Sequence, residues 1–166
     1  VNVVGIVGFK NSGKTTLVEA LVSELVRRGL RVCTVKHAHH TVDVDHPGKD
    51  SFRHRAAGAS AVALVSPGRW AVVHELREAP EPSLTEVLAA LPPCDLALVE
   101  GYRESPIDKI EVRDLSLGHR PLAGSDPRVV ALAASGPVAG CPVPWFHRDD
   151  TVGLCDFVEQ RWRAAR

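Results

Sequence analysis

Gly8-Phe9-Lys10-Asn11-Ser12-Gly13-Lys14-Thr15 satisfies the pattern G-x-x-x-x-G-K-[ST], the one stretch of this chain whose spacing alone specifies a chemistry. Gly8 and Gly13 allow backbone conformations and a close approach that a Cβ would obstruct, so consecutive N–H groups can turn toward a single anion. The residues after Thr15 have helical spacing, and a helix N-terminus adds unsatisfied donors and the positive end of its dipole. In such a loop Lys14 reaches the outer phosphates of a nucleoside triphosphate and the Thr15 hydroxyl ligates Mg²⁺, with Thr16 supporting the α-phosphate or the helix start. A bound nucleoside triphosphate is therefore expected.

A phosphate loop needs an acid to organise Mg²⁺ and water, and the run CDLALVEGY offers two. A strand through it separates Asp95 from Glu100 by about 17 Å, at a rise of about 3.3 Å per residue. Ligands of parallel sheets sit beyond the carboxyl ends of the strands, which selects Glu100 as the metal-organising and catalytic acid beside Lys14. Asp95 falls at the opposite end, and Gly101 is read as leaving room for a ligand.

Five of the eight histidines lie in KHAHHTVDVDHPGKDSFRHR: His37, His39, His40, His46 and His54. With Asp43 and Asp45 they read as a substrate or switch loop, as a transition-metal site, or as an unspecialised polar loop. Lys36 and His37 leave the second strand on the edge that carries the phosphate loop, so His37 is a nucleotide-site candidate. Lys49 and Arg53, four apart on a short helix, form either a phosphate contact or a solvated basic face.

These residues need a scaffold. Residues 3–7 are an apolar, β-branched run, as in a strand buried on both faces, and Leu17, Val18, Leu21, Val22, Leu25 and Val26 give residues 15–28 a helical stripe closed by Gly29. A strand over 30–35 completes a βαβ unit. Asp50 is expected to cap a helix through Ala57. Runs 61–65 and 70–76 around Ser-Pro-Gly-Arg read as a hairpin, and Ser83 with Glu86 as a capping box for a helix to Leu91. Strands follow at 95–100, 107–112, 129–134 and 143–146, and Asp150 caps a last helix through Trp162. The segment LSLGHRPLAGSDPR reads as the loosest connection. The expected fold is α/β, a three-layer P-loop NTPase arrangement whose mostly parallel sheet carries an inserted β-hairpin, as a single nucleotide-binding domain over residues 1–166.

Composition narrows the partners. Lys+Arg and Asp+Glu stand at 20 each, so no global field favours nucleic acid or an anionic membrane. No apolar run approaches the roughly 20 residues of a membrane span, and the N-terminus lacks a basic leader, which points to a cytoplasmic protein. The four cysteines, Cys33, Cys94, Cys141 and Cys155, form no C-x-x-C pair, arguing for reduced thiols and against a redox dithiol.

Together GFKNSGKTTL, VKHAHHTVDVDHPGKDSFRHRAAGA and LVEGYRESPIDKIEV resemble the MobB family of GTP-binding molybdopterin-guanine dinucleotide biosynthesis adaptors. The resemblance implies a homodimer that binds GTP and Mg²⁺ and hydrolyses GTP weakly, acting with a molybdenum cofactor guanylyltransferase of the MobA type and with molybdenum-insertion proteins. By position it implies a nucleotide site of Gly8, Lys10, Asn11, Ser12, Gly13, Lys14, Thr15 and Thr16, with Glu100 as the acid and the His37 to Arg55 tract as a family-specific cleft. It also makes the 61–76 hairpin a dimer element. The chain has no [NT]-K-x-D motif, so GTP over ATP comes from the resemblance, with the loop at Ser135 expected near the base. Two other readings of the same residues are a small-molecule P-loop kinase and a histidine-rich metallochaperone GTPase. Arg103 is the nearest arginine that could assist hydrolysis in cis.

Overall fold

The structure, a computed structural model, describes residues 1–38 and 46–163, the side chain of Arg163 excepted. His39, His40, Asp43 and Asp45 lie outside the described residues. Two compact units form, one from Val1–His37 and Leu84–Arg166 and one from Ala38–Ser83.

In the first unit the βαβ opening consists of β1 (Asn2–Val7), α1 (Lys14–Arg27) and β2 (Val32–Lys36). α1 ends in a Schellman turn, with Leu30 N donating to Leu25 O and Gly29 N to Val26 O. The second unit then follows in sequence with α2 (Asp50–Ala56), β3 (Ala61–Ser66) and β4 (Arg69–His74). After it the first unit resumes with α3 (Leu84–Ala89), β5 (Leu96–Glu100), β6 (Lys109–Arg113), β7 (Val129–Ala134), β8 (Trp145–His147) and α4 (Thr151–Arg163). The strand order is β2-β5-β1-β6-β7-β8, and every neighbouring pair is parallel. Asp150 accepts from Gly153 N at 3.0 Å and caps α4 as the sequence implies.

Strand alternation sends Val4, Ile6, Leu96, Leu98, Ile110 and Val112 to one face, where Leu17, Leu21 and Leu25 of α1 meet Leu154, Cys155 and Val158 of α4. On the other face Val35 and Val99 pack with Leu84 of α3. Arg28 ties α1 to α4, pairing with Glu24 at 2.7 Å, Asp156 at 2.6 Å and Glu159 at 3.0 Å.

Over β6 and β7 that second face is covered by a loop instead of a helix. Glu111, 0% exposed, accepts from Leu122 N at 2.9 Å and Ala123 N at 2.8 Å, and Lys109 pairs with Asp126 at 3.0 Å. The segment read from its composition as the loosest connection is thus pinned by two charges buried in a strand, with Leu122 and Ala123 buried beside Val7.

Cys33 on β2 and Cys94 before β5 stand 61 positions apart in sequence, and burial, followed by the Cys94 thiol, raises the pKa of Cys33. All four cysteines are free.

In the second unit β3 and β4 pair antiparallel about Pro67-Gly68, the predicted hairpin. α2 packs on β3, and Arg55 pairs with Glu75. Lys49, not Asp50, is the N-cap of α2; the Asp50 carboxylate lies in the first turn, where it complements the dipole. The hairpin leaves Val65 81% and Trp70 70% exposed.

Candidate functional site

The turn between β1 and α1 is shaped by its glycines. Gly8 has φ +150°, and a Cβ there would overlap the Val112 carbonyl oxygen of β6 and lie 2.8 Å from Ser12 Oγ. Asn11 takes φ 64°, and Gly13, at φ 96°, is the N-cap of α1 with no side-chain cap. The first N–H groups of α1 therefore have neither an intrahelical acceptor nor a capping side chain, which is the electrostatic requirement for an anion seat.

Lys14 Nζ is folded over this turn and donates to Phe9 O at 2.7 Å. Desolvation lowers its pKa, Glu100 raises it, and Lys36 lowers it again. The lysine thus feels both charges at the carboxyl edge of the sheet. Thr15 Oγ1 donates to Glu100 Oε1 at 3.1 Å and lies 3.2 Å from Oε2, and Lys36 Nζ stands 3.6 Å from the same carboxylate. Pairing of β1 with β5, which sets Ile6 opposite Glu100, brings the acid to the loop. A hydroxyl beside a carboxylate is a hard oxygen donor set suited to Mg²⁺. Lys10, Asn11 and Thr16 are exposed on the rim, whereas Ser12 is turned inward and 2% exposed.

His37 extends the pairing of β2 with β5, its N–H donating to Glu100 O at 2.9 Å, and its ring stacks on Tyr102 with centroids 4.5 Å apart. The space beside Gly101, which the sequence reads as room for a ligand, is taken by His37: a Cβ on Gly101, whose φ is +95°, would lie 2.8 Å from His37 Cβ. Asp95 accepts from Arg31 N at 2.9 Å at the start of its strand, away from the loop. Ser135 Oγ accepts from Leu115 N at 2.9 Å. Arg103 lies 6.0 Å from the centroid of the Phe9 ring, which also stacks on His119 at 4.1 Å. Lys49 and Arg53 are exposed in the second unit, with Arg53 3.8 Å from Asp50. Among the described residues no group of three or more His, Cys, Asp or Glu could hold a metal.

Lys36, placed by the sequence on the phosphate-loop edge, reaches Glu100 through strand pairing. Sequence pattern missed two residues here. Glu111 anchors the loop bearing His119, and no motif surrounds it. Arg148, just after β8, places Nη1 3.1 Å from Asp114 Oδ2 and 3.7 Å from where a Gly13 Cβ would lie. Ser116 and then Arg148 hold the Asp114 carboxyl below its ordinary pKa.

Comparison with known proteins gives matches over most of the chain. The family described as molybdopterin guanine dinucleotide synthesis protein B, MobB, matches residues 3–135. A molybdopterin-guanine dinucleotide biosynthesis adapter protein of Haemophilus influenzae is 42% identical over 137 residues, spanning 81% of this chain and 75% of its own length. The adapter protein of that description in Escherichia coli K12 is 38% identical over 153 residues, 90% of this chain and 87% of its own. The crystal structure of Bacillus subtilis MobB superimposes with a TM-score of 0.75 at 27% identity, covering 96% of this chain and 98% of that one. A MobB homologue from Bacillus stearothermophilus gives 0.70 at 30% identity and covers 99% of both chains. The α/β architecture is accordingly that of a P-loop NTPase-like fold, and the chain belongs to the MobB family.

Proposed function

We propose that this protein is a GTP-binding adapter in molybdopterin-guanine dinucleotide biosynthesis, working in the cytoplasm beside a guanylyltransferase and molybdenum-insertion proteins. The chain acts as one nucleotide-binding domain over residues 1–166, with the 38–83 unit inserted in it. Gly8 through Thr16 wrap the phosphates with backbone N–H groups, and Lys14 leaves the Phe9 carbonyl to meet the terminal phosphates. Thr15 and Glu100 hold Mg²⁺, whose role is to neutralise phosphate charge. Glu100 also orients water for weak hydrolysis. The exposed apolar side chains of the β3–β4 hairpin suit a homodimer interface.

The observation that carries this reading is the Thr15–Glu100 hydrogen bond, 3.1 Å across 85 positions, beside an uncapped helix N-terminus. Names of the relatives supply the pathway, the family resemblance supplies the guanine base, and the residues supply the triphosphate seat. Titration of GTP and ATP with Mg²⁺ is the test, and tight GTP binding abolished by Lys14→Ala is the expected result. Tight binding that survives Lys14→Ala removes the site assignment. Adapter function is read separately, from guanylyltransferase turnover with and without this protein.

A further inference from the structure

Glu100 ends β5, which flanks β1 on one side, and Arg148 follows β8, three strands away on the other. Thr15 and Glu100 fix where the metal and the terminal phosphates belong. A nucleotide lying in the β1–α1 turn therefore directs its nucleoside end away from β5, toward the ends of β6, β7 and β8. Arg148 is placed on that path. Its backbone N–H donates to Ala134 O at 2.9 Å, which fixes the residue against the end of β7, and its guanidinium is tethered by Asp114 at 3.1 Å beside Gly13. The arginine side chain is 34% exposed, so part of it is open to a ligand while Asp114 holds the guanidinium. A planar, charged fork held this way can lie flat against a purine ring or bond its edge with two parallel N–H groups, a geometry that a lysine ammonium does not offer.

We propose that Arg148, oriented by Asp114, contacts the nucleoside portion of the bound nucleotide and is not a terminal-phosphate arginine. This rests on the phosphate-loop reading above. It assigns the nucleoside end to a residue outside any guanine-reading motif, which the chain lacks.

The experiment is calorimetric titration of wild type, Arg148→Ala and Arg148→Lys with Mg²⁺-GDP, Mg²⁺-GTP and inorganic tripolyphosphate, with thermal melts confirming folding. Arg148→Ala is expected to weaken GDP and GTP alike by about tenfold and to leave tripolyphosphate unchanged. Arg148→Lys keeps the charge and fold yet loses most of that affinity. Three outcomes overturn the proposal: GDP affinity unchanged in Arg148→Ala, a loss confined to GTP, or an equal loss for tripolyphosphate. Failure of the wild-type protein to bind any of the three overturns the phosphate-loop reading instead, so the two failures are distinguishable.

Discussion

Thr15 and Glu100 meet through a 3.1 Å hydrogen bond from hydroxyl to carboxylate, although one opens a helix and the other closes a strand 85 positions later. Glu100→Gln keeps the shape and removes the charge. Losing the charge of an oxygen ligand should lower Mg²⁺ affinity at the nucleotide site roughly 10- to 100-fold while the melting temperature stays close to wild type. Titrating Mg²⁺ into the nucleotide-bound protein checks this, and an unchanged Mg²⁺ requirement would remove Glu100 from the site.

Two glycines separate backbone strain from steric overlap. At Gly8 a Cβ meets the Val112 carbonyl and Ser12 Oγ, whereas at Gly29, φ +86°, nothing lies within 4 Å. Gly29→Ala should cost about 1–2 kcal/mol, the ordinary penalty of a left-handed residue. Gly8→Ala adds an overlap with backbone that cannot move aside, for a further roughly 1–3 kcal/mol, and it should also distort the anion seat. Urea denaturation of both variants gives the comparison; equal losses would mean that the turn has room beneath it.

Glu111 is buried and supports loop backbone, which gives it a distinct signature. Glu111→Ala leaves Leu122 N and Ala123 N buried without acceptors, at about 1–3 kcal/mol for each unsatisfied group. The expected readout is local: hydrogen exchange at the amides of Leu122 and Ala123 should speed up far more than exchange in β1 or β5. Uniform acceleration across the sheet would show that Glu111 supports the whole fold and not this loop.

That loop also shows where reading the sequence stops working. Gly8 to Thr15 and Glu100 stood out as a candidate site because a phosphate loop and its acid call for fixed residue types at fixed places, and β1, α1 and β5 were legible because burial imposes period 2 or 3.6 on their apolar residues. Residues 115–128 carry Gly, Pro and Ser and look unanchored; the anchors, Glu111 and Lys109, sit in a neighbouring strand at positions facing the loop. Cys33 with Cys94, and Asp114 with Arg148, are likewise products of strand order, which local composition does not encode. Gly101 was read as space for a ligand because a glycine reveals that something is close, not what it is; here it is His37.

The last prediction concerns acid. Glu24 accepts from Arg27 and Arg28, and these hydrogen bonds, those of Arg27 first, hold its pKa at about 2 against an ordinary 4.5. The folded protein thus favours the carboxylate, and the contribution is complete above about pH 4.5 and is lost as pH falls toward 2. Arg28 extends from this carboxylate to Asp156 and Glu159 on α4, so protonating Glu24 loosens the cluster that joins the two helices on one sheet face. Glu24→Gln should therefore be less stable than wild type at pH 6, and the gap should close steadily between pH 4.5 and pH 2 as wild type loses its charge. Denaturant midpoints of both proteins across that range measure it. Parallel curves down to pH 2 would mean that Arg28 is held by α4 alone and that the Glu24 charge adds nothing to the pairing of α1 with α4.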